Sequence, residues 1–149
     1  MGAPGRRLRV VVVDDSRLMR ALLKTALEAE GDVETVGLAA EVAEARRLIR
    51  ELDPDVVTLD VEMPGMTGIE FLEKIMTLRP TPVVMVSSLT AEGAETTLEA
   101  LRIGAVDAVQ KPNGPDPLGP FGEALRAKVR LAAQARVRRA ARRPPAAAP

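Results

Sequence analysis

The chain of 149 residues contains no histidine and no cysteine. Without histidine there is no Ser-His-Asp or Cys-His catalysis, no imidazole general base and no histidine metal ligand. Without cysteine there is no disulfide framework, thiolate nucleophile or zinc-thiolate site, which fits a reducing compartment. Any metal must then be a hard cation held by oxygens. Tryptophan and tyrosine are also absent, and Phe71 and Phe121 are the only aromatic residues. Modules that stack nucleic-acid bases on aromatic side chains are therefore not expected. No apolar run approaches the roughly 20 residues needed to span a bilayer. The basic stretch Met1 to Arg9 precedes an apolar run that ends already at Asp14, too short for a secretory signal. These absences describe a cytoplasmic protein with neither nucleic-acid binding nor membrane insertion.

The length suits one domain with one ordinary core. The formal net charge of zero conceals an asymmetry: 21 acidic and 13 basic residues precede Arg126, and 8 basic residues with no acid follow from there. Such a tail is either a solvated helix face running into a linker or a contact for phosphate or an acidic partner.

Short β-branched runs alternate with helical patterns. Leu8 to Val13 reads as a first, central strand ending at Asp14 and Asp15. Ser16 can cap a helix over Arg17 to Ala29, in which Leu18, Leu22, Leu23, Ala26 and Leu27 recur at helical spacing. Gly31 and Asp32 stop it. Val33 to Ala39 is a second strand, and Glu41 to Leu52 a helix with Val42, Ala45, Leu48, Ile49 and Leu52 on one stripe, ended by Asp53 before Pro54. Val56 to Asp60 is a third, buried strand, broken by Pro64 and Gly65. Ile69 to Leu78 is a helix with Leu72, Ile75 and Met76 inward. Val83 to Val86 is a fourth strand ending at Ser87 and Ser88. Ala91 to Ile103 is a helix whose apolar stripe is Ala94, Leu98 and Leu101, with Gly104 after it. Val106 to Val109 is a fifth strand, followed by Lys111, and Asn113 to Pro120 a loop. A last helix starts near Phe121, with Leu125, Val129 and Ala132 inward. Five βα units predict an α/β fold: a doubly wound, five-stranded parallel sheet of order 2-1-3-4-5, flavodoxin-like, with its ligand crevice between strands 1 and 3.

The strand ends carry the chemistry. Asp14 and Asp15 end strand 1, Asp60 ends strand 3, Ser87 and Ser88 end strand 4, and Lys111 follows strand 5, all at one sheet edge. Singly, each has an ordinary explanation as a cap, turn or loop residue. Together, three carboxylates in one crevice repel each other unless a cation joins them, and an oxygen-only ligand set points to Mg2+. A carboxylate nucleophile, a divalent cation, a lysine and a hydroxyl form a phosphoryl-transfer kit whose product is an aspartyl phosphate.

Val13-Asp14-Asp15-Ser16, Asp60 with Met63-Pro64-Gly65-Met66-Thr67-Gly68, Ser87, and Lys111-Pro112 resemble the signature of two-component response-regulator receiver domains over about Leu8 to Ala132. Val57 to Pro64, Phe71 to Met76, Val84 to Thr90 and Gly104 to Asp107 resemble, more narrowly, the regulatory domain of chemotaxis protein-glutamate methylesterases. The resemblance implies that Asp60 accepts a phosphoryl group from the phosphohistidine of a histidine kinase. Asp15, Asp60 and the Glu62 carbonyl would hold Mg2+, with Asp14 helping through water. Lys111 and Ser87, with Ser88 beside it, would bind the phosphoryl group. Signal would leave through the face made by helix 4, strand 5 and helix 5. Where receivers carry a switch aromatic, three residues before the lysine, this chain has Ala108, so that half of the usual switch cannot exist. The esterase family's catalytic triad needs a histidine, so the chain carries no esterase catalytic residues.

The expected organisation is a disordered N-terminus over 1–7, a receiver over 8–132 and a helical extension with a Pro/Ala linker over 133–149, leading to a C-terminal effector. Two other functions compete: a stand-alone receiver acting as a binding module, and a phosphatase working through an aspartyl phosphate, for which Glu62 has the spacing of an acid/base residue.

Overall fold

The computed structural model describes residues 6–61, 68–78, 80–87, 91–111 and 119–142. Its elements alternate throughout: β1 (Leu8–Val13), α1 (Arg17–Glu28), β2 (Val33–Ala39), α2 (Val42–Leu52), β3 (Val56–Asp60), α3 (Gly68–Leu78), β4 (Val83–Ser87), α4 (Ala91–Ile103), β5 (Asp107–Gln110) and α5 (Pro120–Arg142). The five strands are parallel in the order β2-β1-β3-β4-β5, as the sequence pattern predicts. Glu62, Met63 to Thr67, Ser88 to Thr90 and Pro112 to Leu118, with residues 1–5 and the expected linker over 143–149, lie outside the described residues.

A parallel sheet covered on both sides needs strands that are apolar at every position, and the valine runs supply them. Along β1, Val11 and Val13 join Ala45, Ile49, Leu59, Phe71 and Leu72 on the side of α2 and α3, while Val10 and Val12 join Leu23, Leu27, Leu125 and Val129 on the side of α1 and α5. The helix ends follow local chemistry. The Ser16 side chain accepts the Met19 N–H at 3.1 Å and caps α1. Asp53, before Pro54, closes α2 in the left-handed region (φ 45°), donating its N–H to the Ile49 carbonyl. Gly104 takes φ 141° after α4, where a side chain would also strike the Met76 sulfur.

Two helix faces differ from the sequence reading. On α1, Leu23, Ala26 and Leu27 are buried and Leu22 half-buried as the spacing predicts, but Leu18 is exposed. On α4 the expected stripe of Ala94, Leu98 and Leu101 faces solvent, while Gly93 and Ala100 are buried and Thr96, Thr97 and Ile103 half-buried. The buried face of α4 is made of small residues and threonines at the same helical spacing, and the larger apolar residues are left outside. β5 also runs one residue later than the pattern suggests, with Val106 exposed ahead of it.

The basic tail begins inside the fold. Arg126 is buried; its Nη1 donates to the Ala26 carbonyl at 2.8 Å and its Nε to Glu30 at 3.2 Å. Arg130 forks onto both Asp32 oxygens at 2.7 and 3.0 Å and reaches Glu30 at 2.6 Å. Lys128 binds Asp107 and the Ala108 carbonyl. These three bases are therefore neither a free solvated face nor a free contact for an outside partner; they fasten α5 to the end of α1 and the start of β2 and β5.

Hydrogen bonds from Arg130 hold the Glu30 and Asp32 carboxyls below their ordinary values of 4.5 and 3.8. A depressed folded-state value contributes stability that is present above the ordinary value and lost as pH falls through the folded one. Arg130→Gln is expected to lower the melting temperature by about 2–4 °C at neutral pH, the modest effect of an exposed cluster. That deficit closes as pH drops below 4.5 and then 3.8. Melting curves against pH check this; a deficit that stays constant through the acid range would show that the linkage is absent.

Candidate functional site

β1 and β3 are hydrogen-bonded neighbours, with Val13 opposite Leu59, so the residues that end them emerge side by side at the carboxyl edge. Asp14 and Asp60 are 0% and 1% exposed, whereas Asp15 faces solvent. One carboxylate oxygen from each of the three lies within 4.8 Å of the other two. Lys111 arrives from the end of β5. Its N–H donates to the Ser87 carbonyl at 2.7 Å, and its Nζ stands 3.2 Å from Asp60 Oδ1. Ser87 closes β4 and is buried.

Of the residues the sequence singles out, the structure thus brings Asp14, Asp15, Asp60 and Lys111 together and places Ser87 on the adjoining strand end. Glu62 and Ser88 are outside the described residues.

Asp14 is held on several sides. Its N–H donates to the Ala39 carbonyl at 3.0 Å, and its Oδ1 accepts the Ser16 N–H at 2.9 Å. Its other oxygen, Oδ2, is buried with no hydrogen-bond partner among the described residues. Burial pushes the Asp14 carboxyl above its ordinary value, against the lowering pull of the Ser16 N–H, Lys111 and Arg20. A buried carboxylate oxygen without a donor is costly. Two further carboxylates beside it make the arrangement one that a hard, oxygen-seeking divalent cation fits.

Two residues of the site escape a reading by residue type. Arg20, in the first turn of α1, donates from Nη1 to the Asp14 carbonyl at 2.8 Å. The available signal is that helical side chains lean toward the helix N-terminus, so an arginine one turn into α1 reaches back over the end of β1. Gly68 is the other: a Cβ there would lie 2.8 Å from the Asp60 carbonyl oxygen and 3.0 Å from that of Val61. The first turn of α3 rests directly on the backbone that presents Asp60.

A doubly wound parallel sheet with paired acids, a third carboxylate and a lysine at its switch point defines a flavodoxin-like receiver. The response regulator receiver domain family matches residues 10–119, and the chain belongs to that family. Within it, the chain is similar to the receiver domains of CheB methylesterases. It is 54% identical over 143 residues to protein-glutamate methylesterase/protein-glutamine glutaminase 1 of Caulobacter vibrioides, covering 96% of this chain and 42% of the relative. The corresponding protein of Agrobacterium fabrum is 56% identical over 143 residues, with 95% and 40% covered. The chain therefore spans about two-fifths of the length of these relatives. Among solved structures, the response regulator domain of Thermotoga maritima CheB superposes with a TM-score of 0.77 at 47% identity, covering 87% of this chain and 98% of that one. The receiver domain of NtrX from Brucella abortus gives 0.71 at 29% identity, with 84% and 98% covered. Among the described residues no helix is long and apolar enough to cross a membrane.

Proposed function

We propose that the chain is a phosphorylation-controlled regulatory domain in which Asp60 takes a phosphoryl group from the phosphohistidine of a chemotaxis-type histidine kinase and thereby governs a C-terminal protein-glutamate methylesterase acting on chemoreceptors. The observation that carries the chemistry is the meeting of Lys111 Nζ with Asp60 Oδ1 at 3.2 Å beside the oxygens of Asp14 and Asp15. The link to a methylesterase rests on the relatives above.

In this reading an Asp60 oxygen attacks the phosphorus, a P–O bond forms, and the P–N bond to the donor imidazole breaks. The imidazole nitrogen keeps that electron pair and takes a proton from solvent. The chain has no histidine of its own, so the donor comes from outside. Asp14, Asp15 and Asp60, with the Glu62 carbonyl, would hold Mg2+, which when bound offsets the charge of the carboxylates and the incoming phosphoryl oxygens. Lys111 pairs with one phosphoryl oxygen. Ser87, with Ser88 next to it, offers a hydroxyl to another.

Residues 8–132 form the receiver and 133–149 lead toward the effector. The output face is that of α4, β5 and α5, where Leu98, Leu101, Val106 and Leu131 stand exposed. With Ala108 half-buried in β5 where an aromatic switch would turn, the signal travels by the packing of α4 rather than by a ring rotation.

Incubation with acetyl phosphate and Mg2+, followed by intact-protein mass measurement, is expected to give one phosphoryl adduct, and none when EDTA removes the cation. Native chain that stays unmodified at saturating donor and Mg2+ would remove the reading.

A further inference from the structure

We propose that Arg20 is a positioning residue for the cation site, acting through the peptide bond that joins Asp14 to Asp15. The inference rests on the phosphoacceptor reading above and goes beyond it by giving a role to a residue that touches neither phosphoryl group nor cation.

The turn from β1 into α1 must deliver two consecutive carboxylates to one site. Most of its polar groups are fixed by the backbone: the Asp14 N–H by the Ala39 carbonyl, the Asp14 carboxylate by the Ser16 N–H, and the Ser16 hydroxyl by the Met19 N–H. The Asp14 carbonyl is fixed by a side chain, the Arg20 guanidinium, at 2.8 Å. That carbonyl belongs to the peptide plane between Asp14 and Asp15. The ψ of Asp14 and the φ of Asp15 are the two soft torsions flanking that plane, so a hydrogen bond to its carbonyl restrains both. A change in either that the other does not cancel turns the Cα–Cβ bond of Asp15 relative to the end of β1, and the Asp15 side chain with it. Asp15 is exposed, so packing does little to restrain it. The Arg20 hydrogen bond therefore sets where the Asp15 carboxylate stands relative to the buried oxygens of Asp14 and Asp60.

A plainer role for Arg20 is that of a positive charge beside a crowded acidic cluster. The two roles predict opposite signs for cation binding. Removing a nearby positive charge leaves the cluster more negative and tightens Mg2+. Removing the hydrogen bond that orients Asp15 weakens it.

The test is calorimetric titration of Mg2+ alone into the unphosphorylated native chain, Arg20→Gln and Arg20→Lys, with thermal unfolding of each metal-free protein alongside. Arg20→Gln is expected to weaken Mg2+ about tenfold, the usual size for loss of a group that orients a metal ligand. Arg20→Lys keeps the charge, but its shorter side chain holds the carbonyl less well; it weakens Mg2+ by less than Gln does. In acetyl phosphate reactions both variants need more Mg2+ for half-maximal rate and approach the native rate at saturating Mg2+. An Arg20→Gln protein that binds Mg2+ as tightly as native, or more tightly, overturns the inference. Should Arg20→Gln not fold, native affinity in Arg20→Lys overturns it equally. Native chain that binds no Mg2+ removes the phosphoacceptor reading itself, an outcome distinct from variants that match a native chain which does bind.

Discussion

Asp60→Asn is expected to abolish the phosphoryl adduct and, in the absence of Mg2+, to raise the melting temperature by about 2–4 °C. The first effect follows from chemistry: an amide cannot attack phosphorus as a carboxylate does. The second follows from a balance of charges. An Asp60 oxygen lies within 4.8 Å of oxygens of Asp14 and Asp15. At an effective dielectric of about 20, each such repulsion is about 3.5 kcal/mol. The attraction to Lys111 at 3.2 Å is about 5 kcal/mol on the same scale. Two repulsions exceed one attraction, although solvent around Asp15 weakens its share. Desolvation of a carboxylate that is 1% exposed adds to the same side. The net gain of the neutral amide is on the order of 1 kcal/mol, which sets the rise in melting temperature. Intact mass and metal-free melting curves check both parts. A variant that still accepts a phosphoryl group would move the acceptor to another carboxylate. A lower melting temperature would show that the Lys111 pair outweighs the repulsion. Lost function paired with gained stability would mark a site under electrostatic tension that a cation relieves.

The meeting of these carboxylates was legible in the sequence because its cause is topological. Once Val10 to Val13 and Val56 to Leu59 are read as strands buried on both faces, the acids after them must emerge together, and the βα alternation places them at the switch point. What was not legible depends on distance in the chain or on size. Arg126 and Arg130 meet Glu30, about 100 residues earlier; no local pattern joins them, and they read as part of a loose basic tail. On α4, hydropathy points to the largest apolar residues as the buried stripe, yet the helix buries Gly93 and Ala100 and leaves Leu98 and Leu101 in solvent. Periodicity was present in both sets, and hydrophobicity alone chose the wrong one. Close approach of a helix to a sheet selects for small residues, a steric demand that a hydropathy pattern does not carry. On α1, Met19 packs against the core while Leu18, one residue before it, is exposed.

The same steric demand is sharpest at Gly68, and Gly68→Ala is expected to destabilise the fold by about 1–3 kcal/mol while slowing phosphorylation between about ten- and a hundredfold. The Cβ would meet two backbone oxygens, those of Asp60 at 2.8 Å and Val61 at 3.0 Å. Neither can swing aside as a side-chain tip would. The Val61 N–H donates to the Val86 carbonyl at 3.1 Å, and Asp60 pairs with Val86 in the β3–β4 ladder. The relief must then come from α3, which carries Phe71 and Leu72 at 1% and 0% exposure in the core. Lifting that helix by a few tenths of an ångström loosens contacts in a close-packed layer. Alanine's better helix propensity returns at most about 1 kcal/mol, less at a helix's first residue, so the steric cost prevails. The strain would fall on the peptide carrying Asp60, so the rate is expected to drop along with stability. Because the defect lies in the placement of Asp60 rather than in the carboxylates themselves, saturating Mg2+ should not restore the rate, in contrast to Arg20→Gln. A Gly68→Ala protein with native melting temperature and native rate would mean that α3 yields without disturbing β3, and that the close contact at Gly68 does not set the position of Asp60.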